Sequence, residues 1–190
     1  MFALSKIIDD VLYAIQSDTP SEQNFSDVFS ELFDRWQDPV YLEDFFHRHQ
    51  KDLQNGFYGN VGIENAIYTT IDEAYAFQQK VLDIANGKNN EFSNLQEFFK
   101  PLHHNETQRY PIPDHQESKA YGGKKSWLRL YAIRLAPNLF IVTGGAIKLT
   151  RTMQERDHTQ QELDKLKQVK EFLVTQNIID SESITGFIEL

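Results

Sequence analysis

Hydrophobic residues recur at helical spacing through the first hundred residues of the chain. Two early stripes follow the i, i+3, i+4, i+7 rule of a single helix face. The first consists of Leu4, Ile7, Ile8, Val11, Leu12 and Ile15, and the second of Phe25, Val28, Phe29, Leu32, Phe33 and Trp36. Asp38 and Pro39 supply an N-cap and a first-turn proline for a third helix, which Asn55 and Gly56 end. This part of the chain is predicted to be mainly helical.

Capping signals mark three further helices. Thr70–Glu73 and Thr159–Glu162 are capping boxes, in which a threonine and a glutamate three residues later satisfy the first free N–H groups of a helix. Gly87 stands where a helix commonly ends on glycine, and Pro101 stops the helix that opens at Ser93. The predicted helices cover residues of about 70–86, 93–100 and 159–175.

The pattern changes to strict alternation at Trp127. Trp127, Arg129, Tyr131 and Ile133 point to one face of a predicted strand, and their neighbours point to the other. A turn at 136–138 leads into a returning strand. The paired glycines that follow, Gly144 and Gly145, indicate a bulge or a second turn, after which extended structure resumes as far as Thr150. We expect a three-stranded antiparallel meander over about 127–150.

The segment before these strands has a different character. Residues 103–123 are rich in proline, glycine and polar side chains and predict a loop, with room for a short strand near 109–112. The whole pattern therefore indicates an α+β protein, with a helical N-terminal half followed by a small antiparallel sheet. We expect about three to four strands in that sheet and a C-terminal helix packed on it.

Charge is divided unevenly along the chain. The formal net charge is −9, yet residues 1–105 carry a net −10 and residues 106–170 a net +5. Such asymmetry fits a basic segment that meets a polyanion, while the acidic segment solubilises the chain, contacts a basic partner or covers the basic face. Two solvated surfaces of opposite sign, without any partner, explain it equally well.

Several kinds of chemistry have no sequence signature here. The chain contains no cysteine and no Walker loop, dinucleotide-binding glycine motif, nucleophile elbow or H-E-x-x-H motif. Its six histidines do not have the spacing of a metal site, so we predict no metal and no cofactor. No signal peptide and no apolar run of about 20 residues is recognisable, so we expect a cytoplasmic protein without a membrane partner.

The predicted strands carry the strongest candidate for a functional site. Arg129 and Tyr131 share a face with Trp127, and basic residues beside aromatic rings offer charge for phosphates and a flat surface for a base. The basic candidates around them are Lys124, Lys125, Arg134, Lys148, Arg151 and Arg156. The alternative is an ordinary solvated sheet face, on which arginine and lysine are common.

Three segments together resemble a known family. FFKPL at 98–102, WLRLYAIR at 127–134 and NLFIVTGGAIKLT at 138–150, followed by a helix near Thr159, resemble the RelE/ParE superfamily of toxin–antitoxin toxins, in particular its HigB-like, phage-derived branch. Arg129 and Tyr131 look like the arginine and tyrosine of that family's central strand. Lys148 and Thr150 look like the lysine and threonine that end its next strand, whereas Leu149 stands where a second lysine is frequent.

The resemblance implies a compact RelE-like α+β domain at residues 61–190, with two helices packed on an antiparallel sheet. The acidic helical extension at 1–60 has no counterpart in these toxins. The family usually cleaves messenger RNA without a metal, often on the ribosome, although its ParE branch acts on DNA gyrase. RNA or the ribosome and an antitoxin protein are the partners that this resemblance implies.

In such an RNA-cleaving site, positioned cations stabilise the phosphorane, and other groups accept and donate protons. We assign Arg129, Lys148 and Arg151 to the phosphate and Tyr131 or His158 to proton movement; an unperturbed imidazole titrates near neutrality. Lys124, Lys125, Arg134 and Arg156 would bind the nucleic acid around them. The competing hypothesis is a non-enzymatic adaptor that keeps a RelE-like scaffold for protein binding.

Overall fold

The computed structural model describes residues 2–17, 26–103 and 114–188, whose strands form one six-stranded mixed sheet. The strands are β1 (Leu4–Ile8), β2 (Leu12–Ile15), β3 (Lys100–Pro101), β4 (Gln116–Tyr121), β5 (Leu128–Ala136) and β6 (Leu139–Ile147). Their order across the sheet is β1-β2-β6-β5-β4-β3. Strands β2 and β6 are parallel, and every other neighbouring pair is antiparallel.

Asp27, Asp38 and Asn94 each cap the first turn of a helix with their side chains, whereas the helices that begin at residues 50, 63 and 157 have no side-chain cap. The helices are α1 (Val28–Gln37), α2 (Pro39–Arg48), α3 (Gln50–Asn55), α4 (Ile63–Ala85), α5 (Leu95–Phe98), α6 (Asp157–Thr175) and α7 (Ser181–Ile188), with a 3₁₀ turn at Met153–Glu155. The Asp38 side chain accepts a hydrogen bond from the backbone of Val40, and Pro39 is the first residue of α2. Gly87 follows α4 with a φ of 67°, a left-handed conformation that favours glycine.

The expected sheet of three to four antiparallel strands after a helical half is wrong, because the sheet begins with the hairpin β1–β2 near the N-terminus. Asp10, with a φ of 58°, turns the chain between the two strands. All four residues of β2 are buried, and a short, fully buried strand has no alternation that distinguishes it from a helix. Its partner β6 lies far along the chain, so local spacing could not reveal the pairing.

Another unexpected strand lies in the segment that was predicted to be a loop. Strand β4 runs from Gln116 to Tyr121 and pairs with β5 along its whole length, so the third strand of the antiparallel meander precedes β5 and does not follow β6. Strand β6 continues through Gly144 and Gly145, but its pairing with β5 shifts by one residue between Val142 and Gly144, so the expected bulge lies next to the glycine pair. The short strand expected near 109–112, and the expected contribution of Phe25 to a helix face, lie outside the described residues.

Helix α4 starts earlier than its sequence signal indicated. Thr70 was expected to cap the helix, but it lies inside α4, which begins at Ile63. The Thr70 hydroxyl is buried, donates to the carbonyl oxygen of Ala66 at 2.6 Å and accepts from the Trp127 indole N–H at 2.9 Å. Because its hydroxyl donates to a carbonyl group within the same helix, Thr70 does not act as an N-cap. This contact joins α4 to the start of β5.

Helices cover both faces of the sheet. Adjacent residues of a strand point to opposite faces, and here a side chain on Gly144 would meet Glu162 of α6, whereas one on Gly145 would meet Trp36 of α1. We call these the α6 face and the α1 face. The Glu162 carboxylate bonds to the backbone of Gly145, and its burial raises the pKa of that carboxyl group. The glycine pair thus lets both helices approach β6.

Replacing Gly145 with alanine is expected to lower the free energy of unfolding by about 1–3 kcal/mol. The new methyl group would lie 2.7 Å from the carbonyl oxygen of Arg129 and 2.8 Å from the Trp36 ring, and neither can move without disturbing the core. Equilibrium urea unfolding measures the change.

The matched control is Gly144→Ala. Its methyl group would meet only the carboxylate of Glu162, the end of a flexible side chain that can rotate away. We therefore expect a smaller loss than for Gly145→Ala. A loss at Gly144 as large as the loss at Gly145 would contradict the packing described for β6.

Candidate nucleic-acid interface

Three cations meet on the α6 face where β4, β5 and β6 run side by side. The pairing of Tyr121 with Arg129, and of Lys119 with Tyr131, places Lys119 and Arg129 on one face of neighbouring strands. Lys148 follows β6, and its backbone N–H donates to the carbonyl oxygen of Trp127 at 2.8 Å, which holds it beside Arg129. Lys119, Arg129 and Lys148 are called the cationic cluster below.

The cluster is not neutralised by the protein. Burial lowers the pKa of Lys148, and the positive charges of Arg129 and Lys119 lower it further, against a smaller opposing effect of Glu155. In the described part of the chain, none of the three cations forms an ion pair with a carboxylate. Three like charges that repel one another without a counter-charge favour an external anion.

Backbone carbonyl groups fix the three cations in place. Arg129 Nη1 donates to the oxygens of Ser126 and Leu128 at 2.6 and 2.8 Å. Lys148 Nζ donates to the oxygens of Thr150 and Arg151 at 2.9 and 2.6 Å. Lys119 Nζ donates to a third loop, at the carbonyl of Leu102, 3.1 Å away. Carbonyl groups position these side chains while leaving their formal charges uncompensated.

An aromatic ring completes the cluster. The guanidinium carbon of Arg129 lies 4.3 Å from the ring centroid of Tyr121, a cation–π contact, and Tyr121 remains 39% exposed. Sequence reasoning missed Lys119 and Tyr121, because both belong to β4, the strand that was assigned to a loop. Four consecutive polar residues at 116–119 break the apolar/polar alternation of a strand, so β4 has no local signal in the sequence.

Three predicted residues lie close to the cluster in the chain. Lys124 and Lys125 are exposed in the turn between β4 and β5, next to Tyr121. Arg151 is exposed, and its carbonyl oxygen accepts from Lys148, so its backbone borders the cluster. These three side chains can add positive charge around the cluster.

Tyr131, predicted to move a proton, points into the protein interior. Its side chain is 1% exposed, and its hydroxyl donates to the sulfur of Met153 at 2.9 Å. Burial raises the pKa of this phenol strongly. Tyr131 therefore remains protonated and has no direct access to a ligand on the surface.

Arg156 and His158 belong to a separate joint between the N-terminal helices and α6. Two hydrogen bonds connect the guanidinium of Arg156 to the carboxylate of Asp52 in α3, one of them 2.7 Å from Nε to Oδ2. His158 Nε2 donates to the carbonyl oxygen of Ile147 at 3.0 Å, and its ring packs 4.8 Å from that of His49. Both predicted site residues therefore make contacts within the protein.

Arg134 also lies apart from the cluster. It is nearly buried, and its Nε donates to the side-chain oxygen of Gln96 in α5 at 3.1 Å. Within residues 2–17, 26–103 and 114–188, no three His, Asp or Glu side chains converge to hold a metal ion. The same residues include no helix long and apolar enough to cross a bilayer.

Comparisons with known proteins give no relative: no family model, curated protein or solved structure matches the chain.

The ion pair with Arg156 predicts that Asp52 stabilises the fold in a pH-dependent way. Its hydrogen bonds from Arg156 hold the pKa of Asp52 below its usual value, so the pair stabilises the fold at neutral pH, and that contribution is lost as pH falls through the folded-state pKa. Asp52→Asn is expected to cost about 1 kcal/mol at pH 7, because Arg156 is partly exposed. Urea unfolding at pH 7 and pH 3 should show the difference from wild type shrinking at pH 3.

Arg156→Gln provides the complementary test. It should reduce stability by about the same amount as Asp52→Asn, and the double variant should lose little more. If the two losses simply add, Asp52 and Arg156 act independently and the joint is misassigned.

Proposed function

We propose that this protein binds single-stranded RNA at the cationic cluster. The observation that carries the proposal is that Lys119, Arg129 and Lys148 gather on one sheet face without a carboxylate to neutralise them. RNA presents regularly spaced phosphates, and lysine and arginine bind phosphate oxygens through charge-assisted hydrogen bonds. Because these side chains are already held in place, they lose less conformational entropy on binding a phosphate than mobile side chains would.

The neighbouring ring favours a single strand over a duplex. Tyr121 lies beside Arg129 and is exposed enough to meet an unpaired base. Base stacking on an aromatic ring contributes about 1–3 kcal/mol per base in single-strand binding. The bases of a duplex are already stacked and would leave this ring unused.

Cleavage of the bound RNA is the second candidate function, and it is the activity implied by the resemblance to the RelE/ParE toxins. Lys148 favours it, because burial and the neighbouring cations lower the pKa of its amine, which eases proton transfer beside a phosphate. Neither Tyr131 nor His158 supports it, since both side chains are engaged in internal contacts. Binding is therefore the better supported of the two.

Removing single cations should weaken RNA binding. We expect Arg129→Gln and Lys148→Gln each to raise the dissociation constant for a fluorescein-labelled single-stranded 12-nucleotide RNA about tenfold, because a hydrogen bond to a charged group contributes on the order of 1.4 kcal/mol. Fluorescence anisotropy at low salt measures the change. Incubating the same RNA and separating the products on a denaturing gel tests for cleavage.

Lys88→Gln is the matched control, because Lys88 is an exposed lysine after α4 and its removal changes the net charge equally. It should leave the affinity near that of wild type, and thermal unfolding confirms that each variant is folded. Equal affinity of the folded Arg129→Gln and Lys148→Gln variants and wild type would refute binding at the cluster.

The salt dependence of binding counts the phosphate contacts. For a single strand, log K changes with log[salt] by about −0.7 per neutralised phosphate. Each cluster variant should therefore reduce the magnitude of that slope by about 0.7, whereas Tyr121→Ala should weaken binding with little change in slope. A slope unchanged in all cluster variants would show that these cations do not contact phosphate.

A further inference from the structure

Helix α4 has a second apolar stripe at the edge of the core, and part of it is exposed. Its buried side faces the sheet and α1 through Ala66, Thr70, Ala74, Phe77, Val81 and Ile84. On another side, a stripe with near-helical spacing consists of Ile63, Ile67, Tyr68, Ile71 and Tyr75. Ile63, Ile67 and Ile71 are half-buried and pack against the edge of the core, whereas Tyr68 and Tyr75 are 62% and 64% exposed. The exposed part of the stripe is available to another molecule.

The part of this stripe from Ile63 to Ile71 forms one wall of a groove. Helix α2 provides the other wall, where Val40 is 74% exposed, and the groove has a volume of about 510 Å³. From α2, Pro39, Val40 and Glu43 line the groove, and the α4 wall runs from Ile63 to Ile71, about 12 Å, enough for about two turns of a helix lying alongside it. Apolar grooves between helices are a recurring site for an amphipathic helix.

The groove carries negative charge. Its charged lining residues are Glu43 of α2 and Glu64 of α4, and no lysine or arginine lines it. A helix seated between these walls would lie close to both carboxylates. Complementary charge at such positions requires lysine or arginine beside the apolar residues of the occupant.

We propose that the groove between α2 and α4 binds an amphipathic helix of a partner protein, whose apolar face is flanked by basic residues. A second copy of this chain fits less well, because a symmetric contact would place Glu43 and Glu64 against the same carboxylates. The site is independent of RNA binding. Helix α4 packs on α1 through Phe77 and Phe33, on the α1 face, whereas the cationic cluster lies on the α6 face.

Synthetic helices test this assignment directly. The probe is a fluorescein-labelled 15-residue peptide with leucine at i, i+3, i+4 and i+7 positions and lysine elsewhere. One control peptide replaces the lysines with glutamate, and a second has the basic composition in scrambled order, so that it keeps the charge but loses the apolar face. We expect the full chain to bind the basic amphipathic peptide at least tenfold more tightly than either control, as measured by anisotropy.

Groove variants locate the binding. Val40→Gln and Tyr68→Gln change exposed side chains and should leave the fold intact, yet each should weaken peptide binding at least fivefold. Glu64→Gln should weaken binding of the basic amphipathic peptide. It should not change the ratio of that affinity to the affinity for the scrambled peptide. Val174→Gln, at an exposed apolar position on α6, is the matched control and should have no effect. Thermal unfolding verifies each variant.

Two results would overturn the proposal. The first is equal affinity for the amphipathic and scrambled basic peptides, or binding that is insensitive to Val40→Gln and Tyr68→Gln; either shows attraction by net charge alone. The second is a dimer of the free protein, detected by light scattering, that the same two substitutions dissociate. That result would assign the groove to self-association.

Discussion

Strand β6 is the element on which the rest of the structure depends. All nine of its residues are buried, and it joins the N-terminal hairpin to the C-terminal strands through its parallel pairing with β2 and its antiparallel pairing with β5. The glycines in its second half admit Trp36 on one face and Glu162 on the other. Because interiors are close-packed, a side chain at Gly145 would press on the Trp36 ring, and one at Gly144 would push the Glu162 carboxylate aside. Residues from both ends of the chain therefore share one core.

The same strand positions the cations. Where β6 ends, the chain leaves the sheet beside Arg129, and Lys148 bonds to the carbonyl groups of the loop that follows. Gathering positive charges raises the free energy of the folded protein, because like charges repel one another and partial burial removes some of their hydration. An anion that binds only the folded protein recovers that energy and stabilises it by mass action. The repulsion among these charges therefore connects the fold to the proposed binding of RNA.

Caps and turns could be predicted from the sequence, because they depend on residues that are close together in the chain. Asp38 and Pro39 start α2 as expected, and the predicted hairpin at the C-terminal strands is present. The hairpin at Leu4–Ile15 escaped prediction, because its apolar residues also fit a helix and only its distant partner selects the strand. The candidate site was predicted in part. Arg129 and Lys148 come together as alternation implied, whereas the ion pair of Arg156 with Asp52 spans 104 residues and depends on tertiary folding.

The central claim is that RNA lies across the cationic cluster with a base near Tyr121. Photo-crosslinking of a single-stranded RNA containing 5-bromouridine, followed by mass spectrometry of the protein fragments, tests it most directly. Crosslinks are expected to concentrate at Tyr121 and in the adjacent turn to β5. Crosslinks confined to α6 or to the N-terminal helices, with none near Tyr121, would contradict it.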